Sequence, residues 1–173
     1  MHYADIKEYD IANGPGVRVS VFVSGCNHHC KGCFNKCAWD FNYGENYTEE
    51  TTNIILEGLD KDYIAGLTLL GGEPLEPQNQ KGLLPLVKKV KEKYPEKNIW
   101  CYTGFDFEKD VVGEMAKNNE YTKELMNYID VIVDGKFEED KKDLNLKFRG
   151  SSNQRIIDVK QSLKTHQVIP YAV

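Results

Sequence analysis

The sequence predicts an α/β protein in which a mostly parallel sheet forms an open or partial (β/α) barrel. Segments rich in β-branched residues alternate with helical segments, and this alternation favours parallel strands joined by right-handed crossovers. The chain has 173 residues, whereas a complete eight-stranded TIM barrel typically needs about 250 residues. The chain is therefore too short to close such a barrel, and we expect about four to six strands.

The predicted strands are short apolar runs bounded by turn residues. The first run, VRVSVFVS from Val17, alternates and is rich in β-branched residues, as a strand is. The second, AGLTLL from Ala65, reads as a buried strand that ends at a glycine pair. The predicted strands cover 17–24, 65–70, 98–103 and 129–133, with a shorter candidate at 155–159.

Helices are predicted over 49–59, 80–94, 107–117 and 121–128. Thr48 can cap the first helix, because Glu49 and Glu50 follow it in the first turn, where acidic residues are favourable. The second helix carries apolar residues on one face and lysines on the other. Pro85 should lie near the first turn of that helix or kink it.

The composition is that of an ordinary globular protein. Hydrophobic residues make up 40% and charged residues 28%, and the net charge of −5 argues against nucleic-acid binding through a basic surface. We expect no secretory signal and no membrane span, because no sufficiently long apolar run is present. Five cysteines cannot all pair with each other, which favours the reducing cytoplasm. We expect one domain over 1–159 and assign no role to the tail, 160–173.

Three cysteines follow the first predicted strand at the spacing C-x3-C-x2-C. These are Cys26, Cys30 and Cys33. A four-iron cluster normally takes one thiolate per iron, so three ligands would leave one iron free to bind a substrate. Two alternatives stay open. A zinc ion could be completed by His28, His29 or Cys37, or Cys30 and Cys33 could form a redox dithiol that leaves Cys26 without a role.

Several other residues near this loop are expected to be structural. Cys37 could complete a four-thiolate cluster, but it is more typical of a buried small side chain, as is Cys101 within a strand. We expect His28 and His29 to be exposed. We also expect Trp39 and Trp100 to lie in the core, and the polar segment 147–155 to be flexible.

Four loops with candidate functional residues each follow a predicted strand. Ligands bind at the carboxyl ends of parallel strands in such folds, so these loops should share one rim. Glycines there allow a ligand to approach the backbone closely, and a neighbouring carboxylate suits an ammonium group. The loops are the cysteine loop, Gly71-Gly72-Glu73, Thr103-Gly104 and Asp134-Gly135-Lys136.

These motifs resemble the radical S-adenosylmethionine superfamily, in which C-x3-C-x2-C is followed by an aromatic residue and a later strand ends in Gly-Gly-Glu-Pro. Further segments resemble one subgroup, the activating proteins of anaerobic ribonucleoside-triphosphate reductases. They are NGPGVR from Asn13, CFNKCAW from Cys33, WCYTGF from Trp100, DVIVDGKF from Asp130 and FRGSSNQRII from Phe148. Phe34 departs from the tyrosine that is common after the third cysteine, and Cys37 stands where a small polar residue is usual.

The resemblance implies a [4Fe–4S] cluster held by Cys26, Cys30 and Cys33, with S-adenosylmethionine on the open iron. The other implied cosubstrate contacts follow. The backbone of Gly71 and Gly72, with Glu73, would receive the methionine ammonium. The nucleoside would be contacted by Gly32, Cys33 and Phe34. At a later strand end, Asp134 is a further candidate for a cosubstrate contact.

The implied activity is that of a glycyl-radical activase. One electron would cleave S-adenosylmethionine to a 5′-deoxyadenosyl radical, which would take hydrogen from a glycine in the large catalytic subunit of anaerobic ribonucleoside-triphosphate reductase. The electron would come from a donor such as flavodoxin or ferredoxin. An activase of another glycyl-radical enzyme, such as pyruvate formate-lyase, is the alternative within this chemistry. A non-catalytic zinc module is the alternative from another class.

Overall fold

A seven-stranded mixed sheet forms the centre of the computed structural model, which describes residues 1–173. The strands are β1 (His2–Asp10), β2 (Val17–Val23), β3 (Glu45–Asn46), β4 (Ile64–Gly71), β5 (Asn98–Tyr102), β6 (Val131–Asp134) and β7 (Arg155–Asp158). They lie side by side in the order β3-β1-β2-β4-β5-β6-β7.

The middle of the sheet is parallel and its two sides are antiparallel. Strands β2, β4, β5 and β6 pair in parallel, whereas β1 runs antiparallel to β2 and β3, and β7 runs antiparallel to β6. The end strands β3 and β7 do not pair with each other, so the sheet is open. The predicted α/β class and open sheet are confirmed, and a TIM-like barrel is not confirmed. The sheet has seven strands and not the expected four to six, because β1 and β3 add to one side of it.

The helices are α1 (Glu49–Leu59), α2 (Pro77–Lys93), α3 (Ala116–Asn118), α4 (Glu120–Leu125) and α5 (Val159–Thr165), with wide π-helical turns over Phe107–Met115 leading into α3. The predicted bounds of α1 are confirmed. Thr48 caps it, and the Thr51 hydroxyl accepts a hydrogen bond from the Thr48 amide at 3.1 Å. Helix α2 begins earlier than predicted, at Pro77, so that Pro85 lies inside it. None of the helices combines the length and apolar character needed to cross a lipid bilayer.

The helices supply the apolar core on one face of the sheet. Alternate residues of β2 (Val19, Val21 and Val23) are fully buried there, because successive side chains of a strand point to opposite faces. Helices α1, α2, α4 and α5 all contribute to the same core cluster, as does the π-helical turn. The intervening residues of the central strands face the other way. Phe22, Leu70, Tyr102 and Val133 there line a cavity.

The last residues of the chain pack on the β7 side of the sheet. The amide of Asp158 donates to the carbonyl of Ile169 at 2.9 Å, and Ile157 forms an isolated bridge with Pro170. The ring of Tyr171 meets Trp100 edge-on at 5.6 Å between centroids. The segment that follows β7 therefore covers part of the sheet face on which Trp100 lies, and Trp100 is buried as predicted.

Candidate active site

The three clustered cysteines line one cavity at the carboxyl end of the parallel strands. The loop that carries Cys26, Cys30 and Cys33 leaves β2 at Val23, and all three residues contribute to a cavity of about 380 Å³. Cys37 does not line the cavity, and it is exposed, so the expectation that it is a buried small side chain is wrong. Cys101 is buried on the opposite, helix-covered face of the sheet, as predicted for a small apolar side chain. The structure thus separates three thiols from the other two.

The donor set of this cavity fits an iron–sulfur cluster with three thiolate ligands. A tetrahedral zinc ion holds its thiolates about 3.8 Å apart, given Zn–S bonds of about 2.3 Å. The side chains whose ligand atoms lie within 4.8 Å of one another are Asp106, Glu108 and Asp134, and no cysteine belongs to that group. The three Sγ atoms of the cavity cysteines therefore do not all lie within 4.8 Å of one another in the metal-free chain.

Burial affects the acidity of two of the three cavity thiols in the metal-free chain. Burial raises the pKa of Cys26 to about 11 and also raises the pKa of Cys30. Because iron is bound by thiolates, binding at this site must release protons.

Gly71 and Gly72 form the part of the cavity wall next to the cysteine loop. The amide of Gly72 donates to Val23 O at 2.8 Å, and the amide of Glu73 donates to Gly25 O at 2.8 Å. A Cβ at Gly72 would lie 2.6 Å from Gly25 O and 2.7 Å from Ala38 O. Glycine is required here because two stretches of backbone approach so closely.

The Glu73 carboxylate connects three of the four predicted loops. Glu73 is 1% exposed, and its Oε1 lies 2.7 Å from His28 Nε2, 2.7 Å from the Gly104 amide nitrogen and 3.0 Å from Thr103 Oγ1. Its Oε2 accepts from the Leu75 amide at 2.9 Å. The carboxylate thus holds the loops together, while its predicted contact with an ammonium group stays a prediction.

The His28 side chain is largely buried, contrary to the prediction that His28 would be exposed. Its side chain is 8% exposed, and the ring lies against Gly104, where a Cβ would come within 2.7 Å of His28 Cδ2. The ring of Phe105 meets it edge-on at 4.5 Å. All these partners follow β4 or β5, far along the chain, so no local pattern could have identified His28 as a site residue.

Aromatic residues stand at the outer part of the cavity. Phe34 lines it while remaining 92% exposed, which places its ring at the mouth. Trp39 also lines the cavity and stacks on His29 at 4.2 Å, so the prediction that Trp39 belongs to the core is wrong. Gly32 takes a positive φ of 76° and lies outside the cavity lining, with Glu139 beside it.

The Asp134 carboxylate forms an ion pair with Arg155 and does not line the cavity. Its carboxylate accepts from Arg155 Nε at 3.1 Å and Nη2 at 2.6 Å, and from the Phe107 amide at 2.8 Å. Hydrogen bonding to Asp134 and Glu108 raises the pKa of Arg155 above its ordinary value. The neighbouring Gly135 lines the cavity instead, so this loop meets the site through backbone.

The segment predicted to be flexible forms the far wall of the cavity. Gln154 accepts from the Gly150 amide at 2.8 Å and donates to Gly135 O at 3.0 Å. The Tyr102 hydroxyl donates to Phe148 O at 2.7 Å. The wall residues contributed by this part of the chain are Leu146, Phe148, Arg149, Gly150 and Gln154.

Comparison with known proteins agrees with this geometry. A family described as a 4Fe-4S single cluster domain matches residues 12–157. Anaerobic ribonucleoside-triphosphate reductase-activating proteins are similar over most of the chain. The protein of Pasteurella multocida (strain Pm70) is 44% identical over 158 residues, covering 90% of this chain and 96% of that protein.

Two further relatives carry the same name. The protein of Enterobacteria phage T4 is 44% identical over 156 residues, covering 90% of this chain and 93% of its own length. The protein of Escherichia coli (strain K12) is 40% identical over 156 residues, with 89% and 96% coverage. With a four-iron domain matched across the cysteine cavity and such relatives along nearly its full length, the chain belongs to the family of anaerobic ribonucleoside-triphosphate reductase-activating proteins.

Proposed function

We propose that this protein is an oxidoreductase that generates the glycyl radical of anaerobic ribonucleoside-triphosphate reductase with a [4Fe–4S] cluster and S-adenosylmethionine. The observation that carries the proposal is the placement of Cys26, Cys30 and Cys33, and of neither other cysteine, on one cavity. These three residues would hold the cluster and leave one iron without a protein thiolate. The activating-protein name of the relatives supports the reductase as the target.

When bound, the cluster would supply one electron and S-adenosylmethionine would supply the 5′-deoxyadenosyl group that takes hydrogen from the reductase glycine, with release of methionine. The chain's own residues bind and orient. The backbone of Gly71 and Gly72, at the cavity wall, is placed to receive the methionine ammonium. Cys33 and Phe34, with the adjacent Gly32, are proposed to contact the nucleoside.

Part of the inner wall of the cavity is apolar. Phe22, Leu70 and Val133 present apolar side chains there, on the face of the sheet opposite the helices. Such side chains would help to shield a reactive radical from side reactions. The cavity mouth remains open beside Phe34, where a glycine-bearing loop of the reductase could enter and complete the enclosure.

The distribution of helices supports a barrel-like arrangement. The core-forming helices lie on one face, while the other face carries the cavity, as the outside and inside of a (β/α) barrel do. We infer that the open sheet is a partial barrel of the radical S-adenosylmethionine type. Because a thiolate-ligated cluster needs reduced cysteines, we place the protein in the reducing cytoplasm, with a flavodoxin or ferredoxin as electron donor.

The test is anaerobic incubation of the reconstituted protein with S-adenosylmethionine, a reductant and the large reductase subunit, followed by electron paramagnetic resonance. The proposal predicts a glycyl-radical signal that depends on all components. Pyruvate formate-lyase in place of the reductase is the control for partner choice and should give no signal. A signal with that control alone would assign the protein to the alternative activase. A fully loaded protein that produced no radical on either partner would refute the proposal.

A further inference from the structure

The cysteine loop is joined to the buried Glu73 carboxylate by one side chain, His28. His28 lies between the cluster ligands Cys26 and Cys30, and its Nε2 is 2.7 Å from Glu73 Oε1. The other groups that meet this carboxylate, Thr103, Gly104 and Leu75, come from outside the cysteine loop. The contact therefore links the cluster ligands to the carboxyl ends of β4 and β5.

The surroundings of His28 fix the ring as well as its hydrogen bond. The ring of Phe105 meets the His28 ring edge-on at 4.5 Å between centroids. The His28 ring also lies so close to Gly104 that a side chain at position 104 would clash with it. With only 8% of the side chain exposed, the ring has little freedom to leave Glu73. Asn27 adds two longer hydrogen bonds to the loop after β4. Its backbone amide donates to Glu76 Oε1 at 3.2 Å, and its side-chain amide donates to Glu76 Oε2 at 3.3 Å.

We propose that His28 is a positioning residue that sets the distance between the cluster and the backbone that receives the methionine ammonium. The proposal rests on the proposed function, in which S-adenosylmethionine touches both the open iron and the Gly71–Gly72 backbone. Those two contacts belong to different loops. The backbone hydrogen bond from the Glu73 amide to Gly25 O joins the loops before the first cysteine, and the contact between His28 and Glu73 joins them between the cluster ligands Cys26 and Cys30. A displacement of about 1 Å in such a site can cost about 100-fold in rate.

The three thiols hold the cluster without help from His28, so its loss should appear in cosubstrate binding and not in iron content. His28→Leu fills the space against Phe105 but cannot hydrogen-bond to Glu73. His28→Gln retains a donor of comparable reach. His166→Asn removes an exposed imidazole in a left-handed position that asparagine tolerates, and it serves as the matched control.

The experiment measures iron content, the KM for S-adenosylmethionine in its reductive cleavage, and the g values of the reduced cluster with and without S-adenosylmethionine. We expect all variants to carry the wild-type iron content. His28→Leu should raise the KM by about 10-fold or more, as outer groups around metal sites do when removed, and should alter the cosubstrate-induced change in g values. His28→Gln should restore most of the wild-type KM and most of the cosubstrate-induced change in g values. His166→Asn should match the wild type in both measurements.

Three results would overturn the inference: wild-type KM and g values in His28→Leu, loss of the cluster from it, or His28→Gln behaving like His28→Leu. Should leucine prevent folding, judged by thermal unfolding of the metal-free chain, His28→Asn replaces it, because its amide is too short to reach Glu73. Failure of the proposed function itself would show separately, as wild-type protein that cleaves no S-adenosylmethionine.

Discussion

Gly25 and Gly72 bring two functional loops into backbone contact, since a Cβ at Gly72 would lie 2.6 Å from the Gly25 carbonyl oxygen. Gly72→Ala should therefore push the cysteine loop away from the strand end and destabilise the protein by about 2 kcal/mol, a typical cost of overpacking. Denaturant unfolding of the metal-free protein measures this cost.

The matched control for that substitution is Gly82→Ala. Its Cβ would meet only the side chain of the N-terminal residue Met1, at 2.9 Å from Cε and Sδ and 3.0 Å from Cβ, and Gly82 lies inside α2. Alanine there gains helix propensity worth about 1 kcal/mol, so the control should be as stable as the wild type or more stable. Equal destabilisation by both variants would contradict the close approach at Gly72.

Cys30→Ala should prevent assembly of a four-iron cluster and abolish radical formation, because it removes one of the three thiols on the cavity. Cys37→Ala should retain cluster assembly and radical formation, because Cys37 is exposed and lies outside the cavity lining. Iron and sulfide analysis after anaerobic reconstitution, with the visible absorption of the cluster, measures the difference. A Cys37→Ala variant that lost its cluster would show ligation by four thiolates.

Arg18 is a buried cation that donates hydrogen bonds to residues of β4 and β5. Its guanidinium donates to Thr68 Oγ1 at 2.8 Å, to Leu67 O at 3.0 Å and to Asn98 Oδ1 at 2.7 Å, and burial lowers its pKa to about 10. Arg18→Met keeps the length but leaves these buried acceptors unpaired, so we expect a loss of about 3 kcal/mol in unfolding free energy. The exposed Lys164→Met should change it by less than about 0.5 kcal/mol. Similar values for both would contradict this account of Arg18.

Asp130 should make stability depend on acidic pH. Burial alone would raise its pKa, but hydrogen bonds from Lys160, Lys91 and the Ile99 amide outweigh burial and lower the pKa below its ordinary value of 3.8. A lowered folded-state pKa contributes stability that is present above the unfolded-state pKa and is lost as pH falls through the folded-state pKa.

The wild type should therefore be more stable than Asp130→Asn at neutral pH, by about 2 kcal/mol for the lost charged hydrogen bonds. The difference should shrink as pH falls below 3.8. Unfolding free energies of the two proteins at several pH values measure it, and the exposed Asp62→Asn is the control. A difference that stayed constant down to the lowest pH would show that the Asp130 charge contributes nothing.

The apolar strands and the grouping of three cysteines in one loop could be predicted because their signals are local. β2, β4 and β6 are runs of mostly buried, β-branched or aliphatic residues, and β5 is a short run of mostly apolar and aromatic residues. The cysteines are recognisable by their spacing. β1 could not be predicted in this way, since HYADIKEYD is largely solvent-accessible and becomes a strand by pairing with β2. The burial of His28 depends on Glu73 and Phe105, which only the folded sheet brings near it.

The central claim is that three protein thiolates hold four irons and leave one for the cosubstrate. Mössbauer spectroscopy of the protein reconstituted with ⁵⁷Fe tests it most directly, by comparing the cluster with and without S-adenosylmethionine. We predict that one iron site changes its isomer shift and quadrupole splitting on addition while the other three stay the same. Four irons that all remain unchanged by saturating S-adenosylmethionine would contradict the claim.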